Sequence, residues 1–320
     1  MYTVVDLFCG AGGFSRGFHL EGFEVVLGID NSPQASKTFS KNFKKAIVIC
    51  SDIKEVSGLD ILRELGYRPD VVIGGPPCEA FTRTNPLRMP NPIDRLYLDS
   101  VGQLTLHFIR IVGELKPKVF VMENVPSIIE GELKQALREE FAKAGYKKIY
   151  FNILRAEDYG NPSIRRRIFI SNIKLSPPKL RKKTTVAEAI GDLPEPGVSS
   201  DIPNHEYTPL SPRKLRKISR LKWGQALIIY KGAEGRYYKN YIRLHPNKLA
   251  PTVMGSSRFV HPYSDRLLTV REQARLMGFP DYHVFYGGRD SQYNQVGEAV
   301  PVPLAKAIAR EVYKVLENLL

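Results

Sequence analysis

With 320 residues and 43% hydrophobic content, the chain can bury the core of one large domain or two unequal ones, which excludes global disorder. A net charge of +14 and a pI near 9.6 call for a polyanionic partner or a solvated basic face. Between Lys174 and Phe259 there are 17 Lys and Arg against 6 Asp and Glu, so most of the excess sits in about a quarter of the chain. Three cysteines, far apart, frame neither a disulfide network nor a zinc site. No run reaches the ~18 apolar residues of a membrane span, and a strand-like segment stands where a signal sequence would be. A reduced, cytoplasmic setting is expected.

Thr3 to Phe8 is an apolar, β-branched run, followed by Cys9-Gly10-Ala11-Gly12-Gly13 and a helical Phe14 to Phe18. Strand, glycine turn and helix form the opening unit of a nucleotide-binding sheet. The dinucleotide pattern G-x-G-x-x-G fails because Ser15 holds the last glycine position. A cofactor held by backbone groups without a diphosphate is therefore expected. Glu24 to Asp30 reads as a second strand; Asp30 lies 20 residues after Gly10, a spacing that suits acceptance of ribose hydroxyls and equally suits a cap for the helix near Pro33. Ile47 to Asp52 reads as a third strand ending in an acid that could accept a purine amino group.

Val71-Val72-Ile73 leads into Gly74-Gly75-Pro76-Pro77-Cys78-Glu79-Ala80-Phe81-Thr82. The glycines permit a sharp turn and close approach, and the prolines stiffen the backbone leading to Cys78. Cys78 thus stands where an open α/β sheet presents a nucleophile, although local sequence alone also suits an inert buried thiol. Residues 83–95 read as a long mobile loop and Leu96 to Leu115 as a helix. Lys118 to Val125 is a fifth strand carrying Glu123, a carboxylate that is costly in an apolar run unless paired or protonated. A helix over 131–145 and a strand from Ile149 to Leu154 come next. The alternation Ile164-Arg165-Arg166-Arg167-Ile168 sets Arg165 and Arg167 on one strand face, where either could bond a base oxygen or hold an anion. Beyond Ile173 come Pro-rich punctuation and then interleaved basic and aromatic residues, including Arg220, Lys222, Trp223, Arg236, Tyr237 and Arg243. These suit phosphate neutralisation and base stacking, or the private core of a small β-rich subdomain. The last helix is expected from Leu304 to Leu319.

In order, DLFCGAGGFSRGF from Asp6, GID from Gly28, SDI from Ser51, GGPPCEAFT from Gly74 and ENV from Glu123 match a known pattern. It continues with YGNPSIRRR from Tyr159, KLAPTVMG from Lys248, LTVREQARLMGFPD from Leu268 and YNQVGEAVPVPLA from Tyr293. The chain resembles the cytosine-C5 DNA methyltransferases of prokaryotic restriction-modification systems. The resemblance implies an α/β, Rossmann-like methyltransferase sheet over 1–173 completed by 292–320. It also implies a smaller, mostly β or irregular target-recognition domain over 174–265 and a hinge over 266–291. S-adenosylmethionine is the implied cofactor. Phe8, Gly10, Ala11, Gly12, Gly13, Phe14, Asp30, Asn31, Asp52, Ile53, Pro76, Glu298 and Val300 are its implied site.

The resemblance makes Cys78 the nucleophile and puts Glu123 at the cytosine N3 edge. Arg165 and Arg167 support the base, and Arg167 is the contact to its carbonyl oxygen. Arg83 and Arg88 join the recognition residues as DNA contacts, with the loop over 83–95 as a lid on a flipped base. The implied partner is double-stranded DNA, bound by a monomer without a metal, and a restriction endonuclease could share the system without direct contact. Four positions depart from the pattern: Glu79 and Ser163 for Gln, Glu298 for Asn, and Val302 for Pro. The rival readings are a tRNA cytosine methyltransferase of the same fold and a catalytically silent DNA-binding protein.

Overall fold

The computed structural model describes residues 1–198 and 201–319; Ser199 and Ser200, within the expected recognition span, and Leu320 lie outside the described residues. Strands β1 (Thr3–Leu7), β2 (Glu24–Asp30), β3 (Ile47–Cys50), β4 (Val71–Gly74), β5 (Val119–Asn124), β6 (Tyr150–Arg155) and β7 (Arg166–Ser171) form one sheet ordered β3-β2-β1-β4-β5-β7-β6. β1 to β5 run parallel, and β7 is antiparallel to both β5 and β6. The central strands are near-continuous runs of Val, Ile and Leu because helices cover both faces.

The helices of this lobe are α1 (Gly13–His19), α2 (Pro33–Asn42), α3 (Gly58–Leu65), α4 (Asp94–Tyr97), α5 (Leu104–Leu115) and α6 (Leu133–Lys143). The sequence predicts a single helix from Leu96 to Leu115, and two are found. Asp99 Oδ1 accepts the N–H groups of Val101 (2.8 Å) and Gly102 (3.0 Å), and a Cβ at Gly102 would strike the Arg95 carbonyl. The chain therefore turns between α4 and α5.

The rest of the chain contributes α7 (Val186–Ile190), α8 (Pro212–Ile218), α9 (Val270–Arg275), α10 (Arg289–Glu298) and α11 (Val302–Glu317). A second sheet, ordered β10-β9-β8, holds β8 (Ala226–Lys231), β9 (Tyr237–Arg243) and β10 (Phe259–Val260). One face of the large sheet packs on α3, α5 and α6 through Ile61, Phe108, Val112 and Leu137. The other face packs on α1 and α11 through Phe14, Phe18, Leu304 and Ile308. A third core joins Ile242, Phe259, Met277 and Phe285 of the smaller lobe to Ala11 in the glycine turn. The span 266–291 includes α9, whose Val270 to Ala274 are buried.

From β1 the chain moves outward through β2 and β3, then returns to β4 on the other side. Loops leaving β1 and β4 diverge at this reversal and open a crevice at the carboxyl ends of the strands. The glycine turn and the Cys78 loop are those two loops.

Candidate active site

The glycine turn is shaped by backbone that side chains disfavour. Gly12 has φ +81, and a Cβ there would overlap the Phe43 ring. Gly10 has φ +50 and open space on its Cβ side, which leaves a cradle facing the crevice. Asp30 ties the second strand end to this turn, with Oδ2 accepting Gly10 N–H (2.8 Å) and Oδ1 accepting Ser32 N–H (2.9 Å). It is not the cap of α2, because Ser32 Oγ accepts Ala35 N–H there. Ser15, which broke the dinucleotide pattern, donates its hydroxyl to buried Asp6 (2.6 Å). Burial pushes the Asp6 carboxyl up to about 7 against that bond, and its Oδ1 has no partner.

Two residues that the sequence did not single out brace the turn. His283 Nε2 lies 2.8 Å from the Ala11 carbonyl, and Arg16 Nε donates to His283 Nδ1 (3.3 Å). Arg16 can only donate, so Nδ1 accepts and the proton sits on Nε2. Their contact spans most of the chain, and no local pattern announces it.

Asn31 and Asp52 are exposed near the β2 and β3 ends, while Pro76 and Val300 are buried. Phe14, expected at the cofactor, instead spends its ring on the core, edge-on to Phe18 and Phe169. Ile53 also belongs to the main core. The named wall carries the carboxylates Asp30, Asp52 and Glu298 and no basic side chain. That donor set suits a cationic ligand with ribose hydroxyls rather than a diphosphate.

Cys78 comes after the turn that ends β4. Its carbonyl accepts the N–H groups of Phe81 (2.9 Å) and Thr82 (2.8 Å), which closes the loop behind the thiol. Asn124 steadies the approach by donating Nδ2 to the Pro76 carbonyl (3.1 Å). A Cβ at Gly74 would strike the Leu7 carbonyl, and one at Gly75 would sit 3.2 Å from Glu123 Oε2, so both glycines permit close packing. Burial raises the Cys78 thiol to about 11; Arg167 opposes this, and Glu123 and Glu79 add to it.

Glu123 is 8% exposed and reaches Arg167, whose Nε lies 2.9 Å from Oε1. The expectation that this carboxylate must be paired or protonated is met by pairing. The contact lacks hydrogen-bond alignment, so Oε1 is ion-paired with Arg167 but accepts no hydrogen bond. Antiparallel β7 beside β5 is what brings these side chains together.

Arg165 shares a face with Arg167 but has another task. It is buried, and its Nη1 donates to the carbonyls of Val253 (2.6 Å) and Gly297 (2.8 Å). Burial and neighbouring Arg167 lower its guanidinium to about 9. It acts as a bolt between β7 and the segment entering Glu298, and its Nε has no partner. Glu298 is exposed on one side and packed on the other, where Oε1 lies beside Gly255. That partial burial, then Glu79 and Asp30, push its carboxyl up to about 6, against the pull of Arg165.

A family model for C-5 cytosine-specific DNA methylases matches residues 2–314. The chain belongs to that family. It is 52% identical to a provisionally named type II methyltransferase of Methanocaldococcus jannaschii, M.MJ0563P, over 98% of this chain and 100% of the relative. It is 38% identical to the type II methyltransferase M1.HphI of Haemophilus parahaemolyticus, over 99% and 88%. A crystal structure of a provisionally named DNA modification methyltransferase encoded within an E. coli prophage superposes with a TM-score of 0.81. It shares 26% identity and covers 99% of this chain and 100% of that one. The protein is thus a DNA cytosine-5 methyltransferase, and in this family a cysteine adds to C6 of the base.

For a C-5 methylase the basic residues should face DNA, and the structure sorts them. Arg220, Lys222, Arg236 and Tyr237 are exposed on the smaller lobe. Trp223 is half-exposed and donates Nε1 to the Pro262 carbonyl (2.9 Å). Arg243 is instead a buried strut, donating to the carbonyls of His261, Ser264 and Ile218 and paired with Asp265. Arg88 is also buried, bonded to the Phe81 carbonyl (2.9 Å), Glu130 and Glu234. Neither guanidinium is available to a phosphate. Residues 83–95, expected to be mobile, are gathered by Glu130, which pairs with Arg83, Arg88 and Arg95.

Proposed function

We propose that this methyltransferase modifies C5 of a cytosine flipped out of a specific double-stranded DNA sequence, with Cys78 as nucleophile and S-adenosylmethionine as methyl donor. The observation that carries the reading is the convergence of Cys78, Glu123 and Arg167 beside the glycine cradle at the sheet's reversal point.

Unaided, cytosine C5 is a poor nucleophile. Addition of Cys78 Sγ at C6 turns the ring into an enamine-like species with electron density at C5. As Sγ bonds to C6, the thiol proton passes by way of the Glu123 carboxyl to N3 and Arg167 meets the neighbouring carbonyl oxygen, so the negative charge developing on the ring is neutralised; the N3 proton returns by the same route after transfer. The ion pair of Glu123 with Arg167, buried beside the Cys78 loop, supports these two roles. Bound S-adenosylmethionine supplies an electrophilic methyl on a sulfonium. The Gly10 cradle and Asp30 hold its nucleoside side, and Glu298 borders its amino-acid end. After transfer, loss of the C5 proton and of the thiolate restores the aromatic ring. We assign the catalytic lobe to 1–173 with 292–320 and recognition to 174–265, acting as a monomer.

The test offers methyl-labelled S-adenosylmethionine with duplex DNA, or with tRNA in a parallel arm, followed by nucleoside analysis. Labelled 5-methylcytosine in DNA is expected with the parent protein and none with Cys78→Ala. Glu123→Gln should slow transfer by about 10² or more. Transfer to tRNA alone, or full activity of Cys78→Ala, overturns the reading.

A further inference from the structure

The tip of the β8–β9 hairpin does something that recognition of a base sequence does not require. It docks on the loop that begins five residues after Cys78. Ala233 N–H donates to the Arg83 carbonyl (3.0 Å). Glu234 then turns back to pair with Arg88, and its other oxygen lies 3.8 Å from Arg83 Nε and 3.9 Å from Arg236 Nε. Arg88 is the crosspiece. Its side chain is 4% exposed, and it holds Glu130 of the catalytic lobe, the Phe81 carbonyl and Glu234 of the recognition hairpin at once.

The backbone of the hairpin tip marks Glu234 independently. Glu234 has φ +57, in the left-handed region, while glycines stand on either side at positions 232 and 235. A β-carbon in that region carries steric strain that a glycine would spare. A strained residue with its carboxylate among three guanidiniums is held for what the side chain does.

We propose that Glu234 is a positioning residue for methyl transfer. From the recognition hairpin, through Arg88, it holds the loop after Cys78 closed over the target cytosine, so hairpin docking and closure of the catalytic loop are one event. The role rests on the function proposed above. Glu234 touches neither cofactor nor reacting atoms in this assignment, and its side chain is 48% exposed, so its replacement leaves the fold intact.

The test compares Glu234→Ala, Glu234→Asp and the parent in two measurements. In the first, without DNA, hydrogen exchange of residues 83–95 should quicken in Glu234→Ala and recover in Glu234→Asp. In the second, the single-turnover rate on saturating duplex should fall about tenfold in Glu234→Ala, while affinity for S-adenosylmethionine stays within about twofold. Unchanged loop exchange overturns the proposal, as does an unchanged rate or a loss of rate matched by equal loss of cofactor affinity. If the parent protein transfers no methyl to DNA, the functional reading fails, and the exchange measurement still decides the latch.

Discussion

Cys78 shows how one side chain is held ready without being reactive. Its thiol is raised to about 11, with burial first among the causes and Glu123 and Glu79 adding to it. A thiol so placed is mostly protonated near neutral pH, and its alkylation rate reads out the charges around it. Glu79 stands where the family pattern has Gln, so its share can be removed alone. Glu79→Gln should lower the thiol's value, and iodoacetamide should label Cys78 faster at pH 8. An unchanged labelling rate between pH 7 and 10 would show that the Glu79 charge does not reach the sulfur. Arg165 and Arg167 make the complementary point. They alternate onto one face as the sequence predicts, yet one is a bolt between carbonyls and the other pairs with Glu123.

The glycine turn was legible as an element because its signals are local: an apolar strand, clustered glycines and a helical run directly after them. Its brace was not, because His283 and Arg16 meet through the fold alone. Burial and adjacent Arg16 hold His283 well below its ordinary value of 6.5. A base whose folded value lies below its unfolded one takes up its proton more readily when unfolded. The stability it contributes is therefore full above about pH 6.5 and is lost as pH falls below that value. His283→Ala should cost about 1–3 kcal/mol at pH 7.5 by orphaning the Ala11 carbonyl and Arg16 Nε. Urea unfolding should show that cost shrinking toward pH 5; a cost independent of pH would mean that His283 is not held neutral. The helix expected from Leu96 failed for the opposite reason: its apolar period is real, and Asp99 and Gly102 override it locally.

Over the whole molecule, net charge overstated what DNA can meet. Arg16, Arg88, Arg95, Arg165, Arg243 and Arg271 are all buried. Composition could not separate them from exposed Arg220 and Lys222, since their partners come from distant segments. Salt titration of DNA binding separates the two kinds. Arg220→Ala and Lys222→Ala should each reduce the slope of log affinity against log salt by about 1. Arg243→Ala should lower the melting temperature and leave that slope unchanged. A reduced slope in Arg243→Ala would place it on the DNA after all. The motifs from Asp6 to Glu123, by contrast, were legible because they lie on or just beyond β1 to β5, whose carboxyl ends the sheet order gathers on one side.

The hairpin tip meets the catalytic loop partly through main chain, from Ala233 N–H to the Arg83 carbonyl. A backbone bond is indifferent to the side chains around it. Outward positions of β8 and β9, such as exposed Ile229 and Tyr237, can therefore be rewritten while residues 232–235 are kept. If the lobe reads DNA as proposed, varying the strands of this hairpin while leaving its tip alone changes the surface offered to a target sequence and keeps the contact with the loop after Cys78.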